Sequence, residues 1–228
     1  MGTRRDYARG VFCWVGLTTS DTDAAKAFYE ALFAWKYDER DAGDGRTYTM
    51  AMANGNVVAG LMDLVDDGPP RWQSYIAVES ADDTVNTAKA AGATIVIAPT
   101  DVGTAGRAAV LQDPSDAFVS IWEAGERPGA ELVNEPGTLC WNDLMTHDVP
   151  KAVDFYREVF GWEMDAVEGA PGNRQSIRVG KTLNGGIAEI PEQMSSQMPP
   201  HWLAYFAVDD VAATRTAAPQ QGGRSSPT

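Results

Sequence analysis

The sequence predicts an α+β chain built from tandem βαβββ modules, four in number, with the fourth cut short. Three observations predict it. The phrase FYEALFAWKYD at 28–38 returns as FYREVFGWEMD at 155–165, an offset of 127 residues. Around it, 12 of 29 positions coincide between residues 10–38 and 137–165, too many for chance, so duplication is the first reading. A second pair, PPRWQSYIAV from Pro69 and PPHWLAYFAV from Pro199, repeats at an offset of 130.

Each copy justifies its elements in turn. Val11–Thr18 is apolar and β-branched, a strand. TSDTD then offers N-cap residues, and Ala25, Phe28 and Leu32 share one helical face. Strands follow at 34–40, 46–53 and 56–64, parted by the turn sequences DAGDG and ANGN. The second module repeats the order: a strand at 72–78, a helix at 82–91 closed by Gly92, and strands at 94–97, 107–113 and 117–122. GTAGR around Gly103 reads as a turn, because no strand–helix context makes it a phosphate loop. In the third module, 139–190, Asp148 is the cap candidate, Pro150 suits the first turn, and Gly161 ends the helix. A fourth opens with a strand at 201–208 and a helix, then runs into the polar APQQGGRSSPT. Either a neighbouring chain completes this sheet or the reading frame has shifted, and the sequence favours the shifted frame.

The expected organisation is a mobile tail at 1–9, a first two-module domain at 10–123 and a linker at 124–137. A second, incomplete domain follows at 138–210, then a short helix and disordered tail at 211–228. A formal charge of −14 repels phosphate, which argues against nucleic acid, and favours cationic small molecules. No apolar run approaches a membrane span, and MGTRRDYARG is not followed by the apolar core of a secretory signal. Cys13 and Cys140 occupy equivalent strand positions and read as small buried hydrophobes rather than a disulfide, so a cytoplasmic location is the default.

The repeated pattern, CW in the first strand and D…A..FY…F.W after it, resembles the vicinal oxygen chelate superfamily, which includes glyoxalase I, extradiol dioxygenases and bleomycin-resistance proteins. The two-domain layout is similar to an actinobacterial branch labelled glyoxalase-like or hydroxylase. Some of its members serve aromatic-polyketide pathways, doxorubicin formation among them. The resemblance covers about residues 10–210. It implies paired modules forming curved sheets, helices outside and a ligand on the concave side. Metal ligands in that family come from the first strand of each module and from a last strand. Those positions here are Trp14, Gln73, Trp141 and Leu203, with Ser120 on the last strand. A divalent site needs three or four converging donors. The expectation is therefore no metal and no cofactor, with His147 and His201 serving as strand-end residues.

Alternation in strands assigns the concave lining. Trp14, Gly16 and Thr18 face it, with Gln73, Tyr75 and Ala77, and Phe118, Ser120 and Trp122. In the second half the lining is Trp141, Asp143 and Met145, with Leu203 and Tyr205. Asp143 stands where the first half has Gly16, so it is the candidate to accept a ligand hydroxyl or ammonium. Asp63 and Glu189 read as solvated strand residues. These aromatics either plug the core or wall a pocket for a flat ligand. The leading expectation is a metal-independent binding protein for a planar, anthracycline-like aromatic molecule. Its role would be sequestration, resistance or support of a tailoring oxygenase. The alternatives are a glyoxalase-like lyase or a hydroxylase/oxygenase, and a partner-binding paralogue or homodimer joined through the open sheet edge.

Overall fold

The computed structural model describes residues 2–42, 45–65, 68–194 and 198–223. The first module is β1 (Phe12–Thr19), α1 (Thr22–Phe33), β2 (Lys36–Asp41), β3 (Thr47–Ala53) and β4 (Asn56–Asp63). The second is β5 (Arg71–Val78), α2 (Ala81–Ala90), β6 (Thr94–Val102), β7 (Gly106–Gln112) and β8 (Phe118–Ala124). The third is β9 (Leu139–Thr146), α3 (Val149–Phe160), β10 (Glu163–Ala166), β11 (Arg174–Val179) and β12 (Thr182–Glu189). The fourth has β13 (His201–Phe206) and α4 (Val211–Gln220), and no further strand among the described residues.

Modules pair in sequence order. One sheet runs β2-β3-β4-β1-β5-β8-β7-β6, the other β10-β11-β12-β9-β13. Within a module the helix carries the chain across, so its first and last strands pair in parallel, as β1 does with β4. Between modules the first strands pair antiparallel, β1 with β5 and β9 with β13.

Each helix begins on the residue chemistry that its sequence offers. The Asp21 carboxylate accepts the Ala24 N–H at 2.8 Å, and Asp148 accepts that of Lys151 at 3.0 Å. Ser80 and Asp210 cap α2 and α4 in the same way. The twin helices end differently. Gly161 closes α3 at φ 69°, whereas α1 closes on Ala34 at φ 56°. That left-handed conformation strains a Cβ. Ala34→Gly is therefore expected to stabilise the chain by about 0.5–1 kcal/mol, measured as a raised urea midpoint at unchanged slope.

Two expectations are corrected. β6 runs on to Val102, through Pro99, instead of stopping at Ile97. It is an edge strand, where a missing N–H is harmless, and its register shifts twice along the way. Residues 2–9, expected to trail freely, are held along the linker. Arg4 N–H donates to the Glu131 carbonyl at 2.8 Å, Val133 N–H to Gly2 at 2.9 Å, and the Tyr7 hydroxyl to Ala130 at 2.7 Å. Residues 224–228 of the expected disordered tail lie outside the described residues.

The duplicated phrase builds the interface between the halves. Trp35 and Trp162 are both fully buried. Trp35 Nε1 donates to the Gly137 carbonyl at 2.7 Å, and Trp162 Nε1 to that of Gly10 at 2.8 Å. Each tryptophan thus locks onto the entry to the opposite half's first strand, which satisfies a donor that burial would otherwise strand. Around each lies an aromatic group: Tyr29, Phe33, Trp72 and Phe206 about Trp35, and Phe12, Tyr156, Phe160 and Trp202 about Trp162.

The two groups are unequally covered. The core of modules two and three is continuous, and there α2 buries four residues and α3 six. In the core of modules one and four, α1 and α4 bury none. A polar network also closes the first core alone. Asp113, 2% exposed, takes three bonds on Oδ1, from Ser115 N and Oγ and from Ala117 N. Its Oδ2 accepts the Tyr156 hydroxyl at 2.8 Å, and that oxygen accepts Trp202 Nε1 at 2.8 Å. Burial raises the Asp113 carboxyl above the usual range, and these hydrogen bonds oppose the rise.

Cys13 is buried, Cys140 is half-buried and both are free thiols. Burial pushes both above the ordinary thiol range. No helix among the described residues is long and apolar enough to cross a membrane.

Candidate small-molecule site

Strand alternation divides β1 as its sequence implies. Val15 and Leu17 are buried on the helix side, while Trp14, Gly16 and Thr18 are half-buried on the helix-free face. Glycines make that face passable to large rings. A Cβ on Gly16 would sit 3.5 Å from the Tyr75 ring, and one on Gly60 would overlap the Tyr48 phenol. One on Gly106 would come within 2.6 Å of the Trp122 ring. Each aromatic therefore lies over a cross-strand glycine. Trp14 Nε1 donates to the Tyr48 hydroxyl at 3.2 Å, and Trp122 Nε1 to the Arg127 carbonyl at 2.8 Å.

Among these rings Gln73 Nε2 is buried with no hydrogen-bond partner, and Ser120 Oγ is buried with only a weak interaction with the Tyr75 phenol. Gln73 pairs with Gly16 across β1·β5, and Ser120 with Tyr75 across β5·β8, so both lie on the aromatic floor. Burial pushes the Tyr48 phenol well up, which the Arg127 guanidinium partly offsets, and raises the Tyr75 phenol, which the Ser120 side chain partly offsets.

A cavity of about 470 Å³ opens beside this floor. Its walls include Arg40 on β2, Val102 on β6, and Thr104, Glu126, Arg127 and Glu131. β2 and β6 are opposite ends of the eight-stranded sheet, so the sheet curls until both edges border one space. The expected floor residues Trp14, Gln73, Tyr75, Ser120 and Trp122 come together on one face, but none of them lines this cavity. The rings fill the glycine notches, and the open space is polar. Phe118 stands apart, 46% exposed on β8.

The second sheet repeats the layout with different chemistry. Gly186 pairs with Asp143 and leaves room for its carboxylate, which a Cβ there would strike at 2.4 Å. Asp143 Oδ1 accepts Trp141 Nε1 at 2.8 Å, and Oδ2 accepts Arg174 at 2.7 Å and the Tyr205 hydroxyl at 3.2 Å. The carboxylate expected to await a ligand is thus already committed to three donors. Burial and the Asp143 charge push the Tyr205 phenol up. Met145 pairs with His201, and Leu203 and Tyr205 are 38% and 41% exposed on β13, beyond which no strand lies among the described residues. A further cavity of about 100 Å³, between the halves, includes Trp141.

Tyr48, Arg127 and Arg174 are the site residues that sequence reasoning missed. Tyr48 had a signal: TYTMAMA alternates opposite a strand that holds Gly60. Arg174 had none, since its link to Asp143 depends on the register of β11, β12 and β9. Asp63 and Glu189 are exposed, accepting from the Thr22 hydroxyl and from Asn173 N–H respectively.

The family model of the glyoxalase/bleomycin resistance protein/dioxygenase superfamily matches residues 12–121 and 138–227. The chain belongs to that superfamily. Among curated relatives of this superfamily, the mycobacterial protein CFP32, whose name calls it a glyoxylase, is 39% identical in Mycobacterium tuberculosis. The match covers 98% of this chain and 87% of that protein. The anthracycline biosynthesis protein DnrV of Streptomyces peucetius is 31% identical over 95% of this chain and 84% of its own. A Mn(II)-bound glyoxalase from Novosphingobium aromaticivorans shares the fold, with a TM-score of 0.60 at 18% identity, covering 81% of this chain and 64% of that one.

The superfamily's metal positions were tested against the residues present. Trp14, Trp141 and Leu203 offer no ligand atom, and Gln73 and Ser120 are neutral. No group of three His, Cys, Asp or Glu converges among the described residues. His147 is exposed, and His201 Nδ1 lies 2.7 Å from the Pro199 carbonyl. The donor set does not fit a divalent cation.

Proposed function

We propose that the first curved sheet binds a planar aromatic molecule without a metal, in the service of antibiotic biosynthesis. One observation carries the reading. Gln73 Nε2 is buried without a partner, and Ser120 Oγ with only a weak one, on a floor of Trp14, Tyr75 and Trp122. Buried polar atoms are paired in the great majority of folded proteins, so an orphaned donor and a poorly satisfied hydroxyl among rings suit a flat ligand that carries oxygen substituents. The likeness to DnrV, named for anthracycline biosynthesis, supports an anthracycline-like polyketide as that ligand. Entry would be from the cavity at Arg127, with the rings parting from their glycine notches. Sequestration, or support of a tailoring oxygenase, follows from binding alone. The likeness to glyoxylase-named relatives supports a lyase as the second reading, but the poor donor set weighs against a metal-dependent one.

The test is intrinsic tryptophan fluorescence titrated with an anthracycline, with and without EDTA. Saturable quenching insensitive to EDTA is expected. Trp14→Ala or Trp122→Ala should weaken binding by about 1–3 kcal/mol, roughly 5- to 150-fold in Kd. Quenching that EDTA abolishes, or affinity unchanged in both variants, would overturn the reading.

A further inference from the structure

We propose that Arg127 binds a carboxylate carried by the ligand of the first sheet, which makes that ligand a planar aromatic acid. The inference rests on the binding reading above and adds the ligand's charge to it. Four charged side chains border the cavity of about 470 Å³, and three of them are already committed. Arg40 donates to Asp38 through Nε at 3.0 Å and Nη2 at 2.8 Å. Glu126 accepts the Thr104 hydroxyl at 2.6 Å, and Glu131 accepts the Val57 N–H at 2.8 Å. The half-buried Arg127 guanidinium has neither a hydrogen bond nor an ion pair among the described residues.

The arginine is fixed where it can meet a ligand on the aromatic floor. Its carbonyl accepts Trp122 Nε1 at 2.8 Å, and its N–H donates to the Ala105 carbonyl at 3.0 Å. Its charge holds back the rise of the Tyr48 phenol, so the cavity and the floor share one electrostatic space. The other unanswered groups there are donors too. Tyr48 accepts Trp14 Nε1, but its own O–H finds no acceptor among the described residues, and Gln73 Nε2 is likewise unpartnered. A surplus of donors around a free guanidinium calls for an anion. A carboxylate fits best, because its planar fork takes two parallel bonds from the guanidinium. Glu126 and Glu131 weigh against a phosphate, whose second charge they would repel. The field of a chain at −14 favours cations, but salt screens it beyond about 8–10 Å, and at contact distance the spare donors decide.

The probes are three anthraquinones that differ in one substituent: a carboxylate, the neutral carboxamide of the same shape, and an aminomethyl group that is cationic at neutral pH. Each is titrated into the full chain and followed by tryptophan fluorescence. The carboxylate is expected to bind about tenfold or more tightly than the carboxamide, and added salt should shrink that ratio. Arg127→Met should bring the ratio close to one, and Arg127→Lys should restore part of it, since the charge returns without the fork. The comparison of acid with amide is made on the unaltered chain, so it stands whether or not the variants fold. Equal binding of acid and amide would overturn the proposal and leave the aromatic floor as a binding surface. A ratio that survives Arg127→Met, or tighter binding of the aminomethyl compound than of the acid, would overturn it as well. Failure of all three to bind would remove the binding reading itself, and this inference with it.

Discussion

Tyr156→Ala is expected to destabilise the fold by about 4 kcal/mol or more, while Tyr29→Ala costs only about 1–2 kcal/mol. The two tyrosines occupy the same place in the duplicated phrase, so local propensity cannot separate them. Their surroundings can. Tyr156 is fully buried and stacks on Trp162 with centroids 5.1 Å apart at 11°. Truncation empties that volume, removes a donor from a carboxylate that is 2% exposed, and orphans the Trp202 N–H. Tyr29 is half-buried, and water can reach where its ring stood. Urea unfolding of both variants checks the ordering. Equal losses would mean that the first helix is covered as well as the third.

The second large effect is expected at Arg174. Asp143 is held at 4% side-chain exposure by one guanidinium and two neutral donors, with Arg174 itself at 35%. Arg174→Met removes the only counter-charge among the described residues and leaves a buried anion with the Trp141 indole and the Tyr205 hydroxyl. The expected cost is about 2–4 kcal/mol at neutral pH, toward the lower side of a broken buried pair because those two bonds survive. Asp143→Asn should cost less, since the liberated arginine can turn to solvent. The order of the two losses, read from urea midpoints, is the check. A smaller loss for Arg174→Met would show that the carboxylate does not depend on it.

Particular elements show what was legible in the sequence and why. The repeat, the caps at Asp21 and Asp148 and the two-faced β1 are local patterns, with their causes within a few residues of their effects. β6 can pass through Pro99 because the ban on proline in central strands is lifted at an edge, and edge position is a property of the whole sheet. The pinning of residues 2–9 includes backbone bonds to the linker, which no side-chain pattern announces. The faces of the site were legible by parity, but their closure was not. That rings would settle over Gly16, Gly60 and Gly106 depends on cross-strand register, as does the union of Asp143 with Arg174.

The reciprocal tryptophan bonds bear on how such a chain can change. Trp35 and Trp162 each grip a carbonyl, an atom that every amino acid supplies. Substitution at the gripped positions therefore cannot delete the acceptor. What is asked of Gly10 and Gly137 is their backbone conformation, φ 84° and 78°, and the absence of a Cβ where neighbours crowd in. The clasp between halves is thus insulated from the chemistry of the helix-free faces. One copy could acquire Asp143 and Arg174 where the other keeps Gly16 and Tyr48, with the clasp intact in both. Duplication here left a clasped frame with two surfaces free to specialise separately.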